Sequence, residues 1–467
     1  MKSSNPVERH RSGDDRAAIE RSPTLVPSQG TETPEKPLEP ATKSVAPTAP
    51  SSIYAPAKVV LVKHRGRWVP PKASRLRNSL LSTMGLLELA NAGDFAANVW
   101  NEIPVPIYAI VFMALGGTLA LVVSVLAYRD AMLSWDNVCY LRQERRNLKT
   151  ERERRITSGQ PTQHIDVLLD MNFRELGSEV TNRFGLDIFS GFGAFVISIG
   201  TYMAIGGASR RVWFASNLLS GYIGNAPIAL YGVASSLWSG FIFIKATRHR
   251  NLAAQSPQLR DRTAKLLVGQ RSRNVHIYTS VSAVSSLVGG VASMITATRW
   301  WGYVMLIPVI LSSMFYNSWL RRKVAYDRPA VDISMDLTVE FVARELELAD
   351  ATCREIQGGP SPMRKLLPNP ESLESVVSFL VANDILEACC IRLLQDEGLV
   401  ASLADQSVTE LEANAERLFD TPKELHSMII EMAQETIKTQ GPKTLIYRQR
   451  YLAELLGTVL RLSDEDR

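Results

Sequence analysis

Five stretches of the chain run on without an Asp, Glu, Lys or Arg: Pro104–Tyr128, Ile188–Ala208, Ala226–Ile244, Ile277–Thr298 and Trp300–Leu320. Each is long enough to cross a hydrocarbon core of about 30 Å at about 1.5 Å per residue. The pattern predicts an all-α fold: a polytopic transmembrane helical bundle of five spans, at 104–128, 188–208, 226–244, 277–298 and 300–320. A sixth apolar stretch, Ser79–Trp100, carries Glu88 and Asp94. Each acid costs about 2.5–3.5 kcal/mol at a helix centre. This stretch therefore reads as an interfacial helix on the bilayer, inside a juxtamembrane segment 58–103. A sixth span or a re-entrant segment is the alternative.

The polar positions divide the rest. Residues 1–57 are rich in Pro, Ser and Thr with few large apolar side chains, and are expected to be a disordered tail. Residues 129–187 form a basic helical loop. It begins with the run RQERRNLKTERERR at 142–155 and continues into a helical pattern over Asp166–Phe184. Residues 321–467 read as a helical domain. Met335, Val339, Val342 and Leu346 open an a/d seam that continues through Ala349, Cys353 and Ile356. Such a seam is either core or a surface for a partner helix. Gly358-Gly359-Pro360 ends it, and Asn369-Pro370, Ser407 with Glu410, and Thr421-Pro422 with Glu424 mark later helix starts. No segment alternates in the manner of a strand.

Charge sets the expected orientation. Residues 1–323 hold 38 Lys and Arg against 21 Asp and Glu, whereas residues 324–467 hold 14 against 26. The basic clusters follow the first, third and fifth spans. The positive-inside rule then places 129–187, 245–275 and the acidic domain 321–467 in the cytoplasm. The bilayer is the first partner implied. A homo-oligomer or a cytoplasmic protein is the second, and no basic patch interleaved with aromatics points to nucleic acid.

Small residues recur at every fourth position in three spans: Gly116, Ala120 and Ser124; Gly232, Ser236 and Gly240; Ser285, Gly289 and Ser293. They allow close helix crossings, or they line a Ser/Gly pathway. Between the second and third spans, SNLLSGYIGNAP (Ser216–Pro227) gathers residues that disfavour an unbroken helix. Gly221, Gly224, Asn225 and Pro227 are the candidate cavity or interface, with Asn225 as cap of the third span. No catalytic motif, cofactor fingerprint or Cys/His metal cluster is present, so neither enzyme, cofactor nor metal is expected. The four cysteines form no disulfide framework, and the Cys389-Cys390 pair reads as small apolar residues in a helix.

The membrane region, about 75–325, resembles uncharacterised multi-pass integral membrane proteins of filamentous fungi. The phrases that carry this are WNEIPVPIYAIVFMALGG at Trp100–Gly117, MNFRELGSEV at Met171–Val180, and SNLLSGYIGNAP. The resemblance implies a membrane location and a fungal source, and it supplies no activity. The functional expectation is a non-enzymatic membrane scaffold whose cytoplasmic domain engages itself or a partner through the Met335 seam. The alternative is a channel or facilitator for a neutral or lipidic solute.

Overall fold

The computed structural model describes residues 54, 59–71, 74–100, 104–206, 209–259, 262–359, 361–396, 399–400 and 410–465. The tail expected at 1–57 lies outside the described residues, Tyr54 excepted. The helices are α1 (Phe95–Val99), α2 (Ile107–Thr157), α3 (Gln163–Ser178), α4 (Leu186–Ile205), α5 (Arg210–Asn217), α6 (Asn225–Gln255), α7 (Arg262–Thr296) and α8 (Trp301–Trp319), followed by α9 (Val339–Gly358), α10 (Pro362–Leu366), α11 (Leu373–Ala382), α12 (Leu386–Leu393), α13 (Ala415–Phe419) and α14 (Lys423–Glu465). Three π-helical turns interrupt the series, at Glu179–Gly185, Leu218–Ile223 and Leu320–Val324.

The helical class stands, and five helices are long and apolar enough to cross a membrane. Their outward faces carry large exposed apolar side chains, among them Ile107, Leu115, Leu230, Leu237, Val284 and Leu311. Such a continuous apolar surface is what a membrane-facing belt requires.

Ser79–Trp100 does not lie on the outside of this bundle. Ser82–Ala92 is a 3₁₀ helix that passes into α1, and Met84, Leu87, Ala90, Ala96 and Ala97 are buried. It runs antiparallel to α2. The Arg77 amide donates to Asn137 Oδ1 (3.1 Å), the Leu81 amide to Asp130 Oδ1 (3.1 Å), and Trp100 meets Tyr108 edge-on at 5.5 Å. It also runs antiparallel to α8. Asn78 Nδ2 donates to the Arg321 carbonyl (2.9 Å), Ser313 Oγ to the Gly85 carbonyl (3.1 Å), and Tyr303 to Asp94 (2.8 Å). At about 2.0 Å per 3₁₀ residue and about 1.5 Å per α residue, it covers roughly the thickness of a hydrocarbon core. Six segments therefore run the length of the bundle. The interfacial expectation fails because both acids are paired: Asn91 Nδ2 donates to Glu88 (2.8 Å), and Tyr303 and Asn98 donate to Asp94 (2.8 and 2.9 Å).

The segment SNLLSGYIGNAP also departs from expectation. Gly224 is right-handed helical, so α5, the π turn and α6 form one continuous helical run. Pro227 has no N–H to give the Ile223 carbonyl, and the winding loosens just before it. The Gly224 amide reaches back five residues to the Leu219 carbonyl (2.8 Å). The third long apolar helical run consequently starts at Arg210, ahead of the run Ala226–Ile244.

Strands exist, contrary to the sequence reading. β1 (Val59–His64) and β2 (Arg67–Val69) form a hairpin, and β3 (Glu410–Ala413) pairs antiparallel with β1, in the order β2-β1-β3. Arg65 and Gly66, the two loop residues, both have positive φ, at 51° and 79°. Two such residues in a two-residue loop match the right-handed twist of the strands.

The domain 321–467 is not a separate lobe hanging from the bundle. One apolar core joins its helices to α3, to the far halves of α2, α6 and α7, and to Tyr54 and β1. The seam residues Val339, Val342 and Leu346 are buried in that core, and Met335 is half-buried. Val339, Val342 and Leu346 pack where α9 meets α14 within the same chain, and Met335 lies ahead of α9. Cys389 and Cys390 are buried as well; burial raises the Cys389 thiol to about 12 and pushes Cys390 up too.

Candidate functional site

The candidate residues of SNLLSGYIGNAP are brought together, but into a close helix crossing. A Cβ at Gly224 would lie 2.6 Å from Ile197, and one at Gly193 would lie 2.5 Å from the Gly224 carbonyl. Gly221 meets Ala297 at 3.1 Å on the same terms. Asn225 is fully buried, and its Nδ2 donates to the Ser220 and Gly221 carbonyls at 3.3 and 3.0 Å. Those carbonyls belong to the π turn, which leaves them short of backbone donors. Asn225 thus locks the turn, and Pro227 causes it.

The polar centre lies elsewhere, where the bundle meets the 321–467 helices. Glu454 on α14 is held by two arginines from bundle helices, Arg174 of α3 (2.6 Å) and Arg271 of α7 (2.8 Å). Burial alone would raise its carboxyl; the two guanidiniums outweigh burial and hold it down at about 2. Arg328, fully buried, pairs with Glu144 of α2 (2.7 Å) and with Glu175 of α3. Tyr326 bridges the two groups: it donates to Glu175 (2.6 Å) and accepts from Arg174 (2.6 Å). Lys245 and Arg461 share Asp170, at 2.7 and 3.0 Å. Nearer the apolar belt, Arg183 pairs with Glu179 (3.1 Å) and Asp130 (3.4 Å).

A cavity of about 100 Å³ opens inside this network. Two of the three π turns line it. Glu179–Gly185 supplies Glu179, Asn182 and Arg183, and Leu320–Val324 supplies Leu320 and Val324. Loosened turns leave carbonyls to be satisfied by side chains. Arg271 Nη1 takes the Val324 carbonyl at 2.5 Å. A second cavity, of about 220 Å³, lies on the other side of Arg328 between Tyr140, Met171 and Tyr451.

From the first cavity a polar face of α7 runs back through the bundle: Tyr278, Ser282, Ser286, Gly289, Ser293 and Thr296, all buried. Ser285 and Ser312 hydroxyls meet at 2.9 Å, and the Ser293 hydroxyl has no partner. Glu88 of the 3₁₀ segment stands against this face, its Oε2 3.9 Å from the position a Cβ would take at Gly289. Of the small residues singled out in sequence, Gly232 packs its backbone on the Ser286 carbonyl, whereas Gly240 faces open space.

Sequence reasoning located neither cavity. The Met171–Val180 phrase contains Arg174, Glu175 and Glu179, but their partners lie on other helices, so spacing could not expose them. Among the described residues no His/Cys/Asp/Glu cluster could hold a metal ion. No family model, curated protein or solved structure matches the chain.

Proposed function

We propose that this is a membrane transport protein that passes a small polar solute along the inner face of α7, with α14 as the latch at one end. The observation that supports it is the Glu88 carboxylate set against a buried face of serines and glycines that leads into the charged cavity. Ionisable groups inside a bundle are costly and usually line a solute or ion path. Irregular backbone at membrane depth, such as the 3₁₀ segment here, is tolerated where protein buries it or where it borders a cavity. The scaffold expectation gains no support from the seam, since Val339, Val342 and Leu346 are buried within the chain. The domain side, which also holds β1 and β2, is the proposed cytoplasmic side, in line with Arg321, Arg322 and Lys323 at the end of α8.

The test is flux in reconstituted vesicles for protons, potassium, chloride, urea and glycerol. Glu454→Gln weakens the latch and should raise flux of at least one of them several-fold over the unaltered chain. Glu88→Gln in that background should lower it again, with melting of the protein unchanged. A folded Glu454→Gln protein that passes none of these solutes would sink the reading. Capture of a cytoplasmic protein by the full chain, without flux, would return the scaffold.

A further inference from the structure

The cavity between the two π turns holds an unusual set of unmatched polar atoms. Arg174, Arg183 and Arg271 line it and are each more than nine-tenths buried. Each spends its terminal nitrogens on carboxylates, hydroxyls or a carbonyl, yet the Nε–H of all three has no partner. Two acceptors in the same wall are also unmatched, Asn78 Oδ1 and Asn182 Oδ1. The Asn78 amide is oriented by its other end, since Nδ2 donates to the Arg321 carbonyl and to Tyr447. Buried polar groups are normally satisfied, and an unsatisfied one costs about 1–3 kcal/mol, more when charged. Five around one small space call for something in it.

We infer that this cavity is a binding site for a small oxyanion that carries a proton of its own, such as hydrogen phosphate or hydrogencarbonate. The anion's oxygens accept from the guanidinium Nε–H groups, and its hydroxyl donates to an amide oxygen. Charge agrees locally: Arg174 and Arg271 share one carboxylate, Glu454, and an anion supplies the second. Glu175 and Glu179 also line the wall, but Glu175 is engaged by Arg328 and Tyr326 and Glu179 by Arg183. Charge-assisted bonds to guanidinium are the strong kind, and a low-dielectric wall strengthens them further. The volume, about 100 Å³, exceeds the roughly 10–15 Å³ that one water needs on the same measure. The site joins α3, both π turns and α7, so its ligand would brace the part of the bundle that α14 grips.

The experiment uses the full chain in detergent, in a gluconate background of constant ionic strength. Inorganic phosphate and hydrogencarbonate are titrated by calorimetry, and melting is followed in parallel. Saturable one-to-one binding with a rise in melting temperature is expected. Sulfate, which carries no proton at neutral pH, should bind at least tenfold more weakly. Asn182→Leu, outside every ion pair described, should weaken phosphate at least tenfold while melting in gluconate stays put. Arg271→Gln should also weaken phosphate at least tenfold, with a lower melt because it takes one of the two arginines from Glu454. No saturable binding of either probe, meaning a cavity filled by water only, overturns the inference, and so does a folded Asn182→Leu that binds phosphate as before. Sulfate equal to phosphate overturns the role given to the amide oxygens. The inference is independent of transport, because binding in detergent can succeed where vesicle flux fails, and the reverse.

Discussion

The two ends of the bundle are held together by different physics. Away from the 321–467 helices, backbones touch through glycine: Gly93 lies on Gly116, Gly193 on Gly224, and Gly290 on Ala229. No charge is needed there, and van der Waals contact carries the association. At the other end, arginines and carboxylates are buried in pairs and triads, with Glu454 and Asp170 each shared between two cations and Arg328 shared between Glu144 and Glu175. Close apolar packing tolerates gradual change, whereas a buried ionic network fails when one member is lost, since the remaining charges stay buried without a counterpart.

The sharpest way to break this comparison is Arg328→Met. It strands Glu144 and Glu175, and removing one partner of a buried pair costs about 3–5 kcal/mol. Detergent melting should fall steeply, and an unchanged melt would mean that the network is solvated. Next in size is Gly232→Leu. A leucine there drives into the Ser286 carbonyl, and overpacking costs about 1–3 kcal/mol. Gly240→Leu, with open space around it, should melt as the unaltered chain does; equal losses in both would show that the glycine contacts are not what distinguishes them.

The smallest effect is a pH dependence with two opposite signs. Burial raises the Asp384 carboxyl to about 6 even though Arg75, at 2.7 Å, pulls it down. Its folded pKa is above the ordinary 3.8, so the folded state takes up a proton first. Stability from this group is present in full below that ordinary value and is lost as pH rises through about 6. Glu454 runs the other way. Its folded value, about 2, is below the ordinary 4.5, so its contribution is complete above 4.5 and is lost as pH falls towards 2. Chemical denaturation across pH 3–8 should show Asp384→Asn flattening the upper limb and Glu454→Gln flattening the acid limb. The same slope in both variants would remove the assignment.

How far the sequence reached follows from the same contrast. The five apolar spans were legible because hydropathy is local, and Gly116 and Gly232 were legible as packing residues because helical spacing is local too. The packing of Ser79–Trp100 inside the bundle was not, since Glu88 and Asp94 look prohibitive until Asn91, Asn98 and Tyr303 are placed beside them. The β1–β2 hairpin was missed, because VVLVKH does not alternate apolar with polar residues and the third strand it pairs with lies some 350 residues later, at 410–413. Val339 to Ile356 were read correctly as a helix face, whereas Met335 lies ahead of that helix, and only the fold could say that α14 packs on it. Arg328 meets Glu144 across 184 residues of sequence, a pairing with no periodicity to reveal it.

That order along the chain has a bearing on how the protein is made. Arg174 and Arg271 are synthesised long before Glu454, which lies 183 residues beyond Arg271. Until α14 is made, two cations and the groove around His249 and Gly457 lack the helix that covers them. A chain cut short anywhere before Glu454 would hold all five long apolar helices and still expose that unfinished surface. One late carboxylate thus closes a network that the earlier helices leave open.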